Sequence, residues 1–186
     1  MEKEKLEKSK NSEMNLMESY PCQLKDLNLS CYGCCGVDFG SEEEVSGDLF
    51  LNTNDFNKIQ SESGNNEDKL KKFRDRFSDA EIGSSGVCMN LVDFGSGCEA
   101  CPLHPFINKI VSKNQTVAPS SDLRVGYCDT KYECETVKFW NYMKLEQRKE
   151  FFEFVKSKKY SNHEYSMKNE SGELIKEFLG RNEFVD

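Results

Sequence analysis

Nine cysteines carry the chemistry open to this chain. They read Cys31-Tyr-Gly-Cys34-Cys35, then Cys88, then Cys98-Glu-Ala-Cys101-Pro-Leu-His104, then Cys128 and Cys134, with Cys22 a little upstream. Each of the two Cys-x-x-Cys pairs can turn two thiolates towards one ion from a single tight turn. Tetrahedral thiolate sites use that spacing, whether for zinc or for an iron–sulfur cluster. The candidate metal ligands are Cys31, Cys34, Cys35, Cys88, Cys98, Cys101, Cys128, Cys134 and His104. One four-ligand site is easily filled from this set, and two are arithmetically open.

The candidates differ in what their surroundings predict. Side chains of adjacent residues diverge, so Cys34 and Cys35 need not face the same ion. Cys134 is expected in the first turns of a long helix, where unpaired backbone N–H groups favour the thiolate and lower its pKa. His104 offers either a nitrogen ligand or a turn imidazole bonded to backbone. His163 lies in a polar stretch and reads as a surface residue. The competing readings are a set of inert buried cysteines and a thiol-exchange site. Pro102 and Pro105 disturb the strand-to-helix setting that a redox Cys-x-x-Cys requires. On this reading Cys31→Ser and Cys98→Ser lose metal, and Cys22→Ser is milder.

The elements that must position these residues follow from composition and pattern. A length of 186 residues suits one domain. Hydrophobic residues make up only 37%, so the core is modest and a metal would help to fix its loops. The net charge of −8 argues against non-specific nucleic-acid binding, which needs a basic footprint. The charged N-terminus lacks the apolar region of a secretory signal, and no stretch is long and apolar enough to span a bilayer. A cytoplasmic address follows, and in a reducing compartment clustered cysteines are ligands or redox groups rather than disulfides. The expected partner is a metal ion, with no nucleic acid and no membrane.

The expected fold is mostly α, with irregular cysteine-bearing loops and few short strands, in a small metal-stapled single domain. Residues 1–19 read as a flexible tail, 20–135 as the cysteine-cluster domain, and 136–186 as helices packed on it. Asp48–Leu51 reads as extended, with Thr53 or Asn54 capping a short helix to Gln60. Glu42-Glu43-Glu44 reads as solvated surface. Glu67–Phe77 is helical by its Leu70, Phe73 and Phe77 spacing. Val87–Val92 is extended and ends in a turn over Asp93–Gly97. Ser112–Asp122 is a polar loop. A long helix over 131–158 starts at Thr130 and Glu133, which have the form of a capping box. Its stripe of Trp140, Met143, Phe151, Phe154 and Val155 is core packing. A last helix over 171–179 stops at Gly180.

The cysteine segments resemble those of the zinc- or iron-chelating cysteine-cluster family of YkgJ type. Cys31, Cys34 and Cys35 match the last three cysteines of that family's Cys-x-x-Cys-Gly-x-Cys-Cys segment. Leu51-Asn-Thr-Asn-Asp55 resembles its extended piece and helix start, and Gly86-Val-Cys88-Met-Asn-Leu91 its Gly-x-Cys-x-x-Leu segment. Cys98 with His104-Pro105 stands in the register of its Cys…Arg-Pro segment. The family's first cysteine falls at Asn28, with Cys22 as the substitute. Its last falls at Asn108, with Cys128 or Cys134 as replacements, and Cys101 stands where the family has an aromatic. The resemblance covers roughly residues 22–134 and implies metal chelation and a loop-rich, mostly helical fold, not an enzyme.

Three functional classes remain open from the residues. The first is a metal-binding protein with a structural or accessory zinc or iron–sulfur site. The second is a redox enzyme using the cluster or a reactive, accessible, low-pKa thiol. The third is a metal-stabilised interaction module. Lys138, Lys144, Arg148, Lys149, Lys156, Lys158 and Lys159 read as a solvated helix face that can also meet an acidic partner.

Overall fold

Helix formation begins where a serine can cap and a glutamate can answer it. In the computed structural model, which describes residues 20–77, 82–105, 107 and 118–181, α1 runs Glu42–Gln60. Ser41 caps it, and Glu44 Oε2 accepts from the Ser41 N–H at 2.8 Å. The acidic triplet is therefore the first turn of a helix, where carboxylates favour the positive end of the helix dipole. Asp48–Leu51 is helical, not extended, and Thr53 is interior. Val45, Leu49, Asn52, Phe56 and Ile59 form the buried face at spacings of three and four. The helix α2, Asn66–Arg74, is capped by Asn65 and buries Leu70 and Phe73, as their spacing predicts, but it ends before Phe77.

The expected long C-terminal helix is two helices, α3 (Glu135–Tyr142) and α4 (Leu145–Lys158). Met143 is extended (ψ 134°), and Gln147 Oε1 accepts from the Lys144 N–H at 2.9 Å to start α4. Arg148 Nη2 donates to the Trp140 carbonyl at 3.1 Å and so satisfies an end of α3. Thr130 and Glu133 lie before the helix, and Cys134 is its N-cap. Lys159 ends α4 in the left-handed region (φ 55°). Then α5 covers Asn162–Glu170, with Ser161 and Glu164 as a capping box that the sequence reading missed. The last helix, α6, is Glu173–Arg181, and Gly180 lies within it rather than ending it.

Short strands make two hairpins. β1 (Gln23–Leu24) pairs antiparallel with β2 (Leu29–Ser30), and β3 (Val92–Asp93) with β4 (Glu99–Ala100). The described chain is mostly α with a few short strands, as expected. The polar loop over 112–122 lies largely outside the described residues, as do the 1–19 tail and Asn108.

Two helical layers enclose the cysteine loops. Trp140 of α3, Phe151 and Phe154 of α4, Tyr165 of α5, and Leu174 and Phe178 of α6 bury themselves against Leu24 and Leu29 of the first hairpin. Phe151 meets Trp140 and Phe178 edge-on, with ring centroids 5.8 and 5.3 Å apart. On the other side Phe56, Ile59, Leu70 and Phe73 pack against Val92, Leu103 and Leu123. Between them, Tyr32, Val45, Leu49, Val87 and Leu91 form a smaller cluster with Cys35 at its edge. The C-terminal helices and the first cysteine hairpin thus share one cluster.

Helix α5 also braces the first cysteine loop through polar bonds. Asn162 Oδ1 accepts from the Ser30 N–H at 3.0 Å, and Ser166 Oγ accepts from the Tyr32 N–H at 3.0 Å. Tyr165 Oη donates to the Pro21 carbonyl at 2.7 Å. His163 is not a plain surface residue, because its Nδ1 lies 2.9 Å from Tyr32 Oη and its side chain is half-buried. Among the described residues, no helix is long and apolar enough to cross a membrane.

Candidate metal centre

All nine cysteines lie in the described residues, and none is in a disulfide. Cys22 and Cys31 flank the β1–β2 hairpin, and the Cys31 N–H donates to the Cys22 carbonyl at 2.9 Å. The chain reverses at Asn28, which takes left-handed backbone (φ 51°). Alternate residues of a strand share a face. Cys22 therefore follows Leu24 and Cys31 follows Leu29, and Leu24 and Leu29 are both buried in the core. Just beyond, the Cys35 N–H donates to the Tyr32 carbonyl at 2.7 Å, and this turn presents Cys34. Cys134 arrives from the far end of the sequence as the N-cap of α3.

These four thiols line one cavity of about 200 Å³, together with Tyr20, Tyr132, Glu133 and Glu170. Cys22 is pushed well up by burial, and by Cys31, Cys34 and Cys134 in turn. Cys31 is raised by burial first and then by Cys34, with Cys134 adding to the effect. The expected lowering of Cys134 does not survive its setting. Burial raises its pKa more than the N–H groups of Val137 and Thr136 lower it.

The remaining cysteine segments join the doublet through backbone pairing. The Cys88 N–H donates to the Cys35 carbonyl at 2.7 Å, beside a bridge between Gly36 and Val87. Cys101 opens a turn closed by the His104 N–H on the Cys101 carbonyl at 3.1 Å. The Leu123 N–H reaches the Leu103 carbonyl at 3.3 Å, and this draws the 123–128 segment alongside. There the Cys128 N–H donates to the Arg124 carbonyl at 3.2 Å. Cys101 is pushed up to about 12 by burial and then by Cys88, with Cys128 also acting on it. Cys128 is raised by burial, against the positive charge of Arg124, with Cys88 and Cys34 adding.

The doublet itself is polarised. The sulfurs of Cys34 and Cys35 stand 4.0 Å apart. Their hydrogen bond brings Cys34 down to about 7, against burial, and pushes Cys35 well up. Burial also raises Cys35, and so do Cys34, Cys101 and Cys88.

The Cys88 loop is locked in place by Arg76. Its guanidinium donates to Asn90 Oδ1 at 3.1 Å, to the Phe73 carbonyl at 2.7 Å, to Asn52 Oδ1 at 3.1 Å and to the Met89 carbonyl. Asn52 in turn donates to the Cys88 carbonyl at 3.4 Å. On the loop's other flank, Asp48 Oδ2 accepts from the Ser85 N–H at 3.0 Å and from its hydroxyl at 2.7 Å.

Cys98 lies elsewhere. Its thiol faces Gln23 Oε1 at 3.9 Å, at the start of β4. Burial pushes it up to about 11, with Lys25 opposing and Asp93 and Glu99 adding. His104 is lowered by burial and then by Arg124, with Asp122 opposing. Three of the nine residues expected as ligands, Cys31, Cys34 and Cys134, thus stand around one cavity, and Cys22 joins them. The β1–β2 hairpin is what carries Cys22 to Cys31, and its two-residue strands leave too weak an alternation to read from sequence.

Among the described residues, no three His, Cys, Asp or Glu side chains stand close enough to hold an ion as they are placed. None of the family models, curated proteins or solved structures compared matches this chain. The likeness to the cysteine-cluster family therefore rests on residue spacing alone.

Proposed function

We propose that this protein binds a metal through its cysteines, as zinc or an iron–sulfur cluster, in a structural or accessory role in the reducing cytoplasm. The observation that carries the reading is the single cavity lined by Cys22, Cys31, Cys34 and Cys134, which three separate stretches of the chain supply. The donor chemistry fits. Four soft sulfurs satisfy a closed tetrahedral site. A metal would be held by the deprotonated sulfurs of Cys22, Cys31, Cys34 and Cys134, and its binding energy would add to folding. Zinc held by Cys22, Cys31, Cys34 and Cys134 would cross-link the loops, and an iron–sulfur cluster there would supply electron transfer.

A second reading, thiol redox chemistry, is favoured by the accessibility of Cys34 and by its contact with the Cys35 sulfur. Metal analysis, acid-labile sulfide and a visible spectrum on protein purified without oxygen decide between them. Stoichiometric zinc, or iron with sulfide and a brown colour, supports the metal reading. A metal-free protein with titratable thiols overturns it in favour of redox chemistry.

A further inference from the structure

Cys34 and Cys35 hold their sulfurs 4.0 Å apart. Cys34 is exposed, whereas Cys35 is half-buried at the edge of the cluster of Tyr32, Val45, Leu49, Val87 and Leu91. The backbone pins the inner residue from both sides. The Cys35 N–H donates to the Tyr32 carbonyl at 2.7 Å, and the Cys35 carbonyl accepts from the Cys88 N–H at 2.7 Å. The turn also sits tightly on α5, because a Cβ at Gly33 would lie 2.7 Å from the Ser166 carbonyl oxygen. A solvent-open thiol beside a sheltered one suits oxidation of the first and resolution by the second.

We propose that Cys34 and Cys35 form a peroxide-reactive dithiol, in which Cys34 takes the first oxidation and Cys35 closes a disulfide. This site rests on the thiol reading above and gives it two residues, an order and an oxidant. The Cys34 sulfur attacks one oxygen of a hydroperoxide and the O–O bond breaks. The displaced oxygen leaves with the Cys34 proton, as an alcohol or, from hydrogen peroxide, as water. The Cys35 sulfur then attacks the sulfenic sulfur of Cys34. The hydroxyl leaves as water with the Cys35 proton, and the S–S bond forms. Two thiols are oxidised and one peroxide is reduced. Neighbouring Cα atoms lie about 3.8 Å apart, below the usual disulfide spacing of about 4.4–6.8 Å. The closed ring is therefore strained, and a small thiol reductant reopens it. Cys34 borders the cavity of about 200 Å³, whose charged lining is Glu133 and Glu170 against Lys131. Such a setting, on a chain of net charge −8, admits a small neutral hydroperoxide and repels an anionic disulfide such as oxidised glutathione. A metal on Cys34 would shield it, so the metal-free chain is the reactive form.

Hydrogen peroxide is added to the wild-type chain as purified without oxygen, and again after chelation. Free thiols are then alkylated and disulfides are mapped by tandem mass spectrometry. The expected product joins Cys34 to Cys35, with the loss of two hydrogens, and dithiothreitol reverses it. Cys35→Ser is expected to accumulate a sulfenic acid on Cys34, trapped by dimedone, and Cys34→Ser to lose the disulfide. A disulfide from Cys34 to any other cysteine overturns the pairing and leaves thiol chemistry standing. A Cys34 that stays reduced in both samples overturns the site and the thiol reading together, and the metal count of the purified chain judges the metal reading separately. Faster oxidation by oxidised glutathione than by equal hydrogen peroxide overturns the choice of oxidant. Should the variants not fold, the wild-type map alone decides the pairing.

Discussion

The N–H of Cys88 donates to the carbonyl of Cys35 across 2.7 Å. That bond registers the Cys88 loop against the first cysteine loop and so sets the distance between their thiols. The same seam continues through Val37 N–H to the Gly86 carbonyl at 2.9 Å and Gly40 N–H to the Ser85 carbonyl at 2.8 Å. The candidate metal centre is thus built on backbone pairing between remote segments.

Gly86 is where this seam has least tolerance. Its φ is +80°, and a Cβ there would lie 2.7 Å from the Asp38 carbonyl oxygen and against that of Val37. Gly86→Ala is expected to cost at least about 1–2 kcal/mol from the left-handed backbone alone, and the clash adds to it. Urea unfolding measures this. An unchanged midpoint would show that the seam is not formed.

Arg76 reaches several acceptors with one planar fork, which an ammonium cannot copy. It also lies over the Phe73 ring at 3.8 Å. Arg76→Lys is expected to lose about 2–3 kcal/mol, because the half-buried acceptors of the Cys88 loop go unpaired. Wild-type stability in the lysine variant would mean that charge alone suffices there.

Phe151 is fully buried, with Trp140 and Phe178 on it. Phe151→Ala is expected to cost about 3–5 kcal/mol by leaving a cavity. Phe151→Leu is expected to cost less, because leucine leaves a smaller cavity than alanine. Thermal unfolding of the pair checks the order, and equal losses would contradict this account of the packing.

Glu177 receives Lys168 Nζ at 2.6 Å and Lys158 Nζ at 2.9 Å, and these bonds, Lys168 first, hold its carboxyl down at about 2. An unfolded glutamate titrates near 4.3. The folded state therefore prefers the charged form. The stabilisation is complete above the unfolded pKa and is lost as pH falls from about 4 towards 2. The group is solvent-facing, so its worth at neutral pH is about 0.5–1 kcal/mol. Glu177→Gln is expected to be less stable than wild type at pH 7 and equal to it near pH 2. A gap that persists into acid would place the effect elsewhere.

Local pattern foretold some elements and not others. The Leu70 and Phe73 spacing announced α2 because a short amphipathic helix needs little else. The same signal was present in Val45, Leu49, Phe56 and Ile59 of α1. The run Asp48–Leu51 and the asparagines after it masked that spacing, although Ser41 and Glu44 marked the true start. The break at Met143 carries no proline or glycine. It depends on Gln147 and Arg148 bonding across it, which sequence does not display. The spacing suggested thiolate chemistry, whereas which cysteines share a cavity was not readable from it. Cys22 lines the same cavity as Cys31, Cys34 and Cys134 because a two-residue hairpin and the N-cap of α3 bring these segments together, which sequence does not display. His163 escaped notice because its partner, Tyr32, lies far away in the chain.

X-ray absorption at the metal edge of protein purified without oxygen tests the central claim most directly. A thiolate-bound zinc, or iron in a sulfide cluster, is expected to show four sulfur neighbours at about 2.3 Å and no nitrogen. A metal ringed by nitrogen or oxygen, or no bound metal at all, would contradict the assignment of these cysteines.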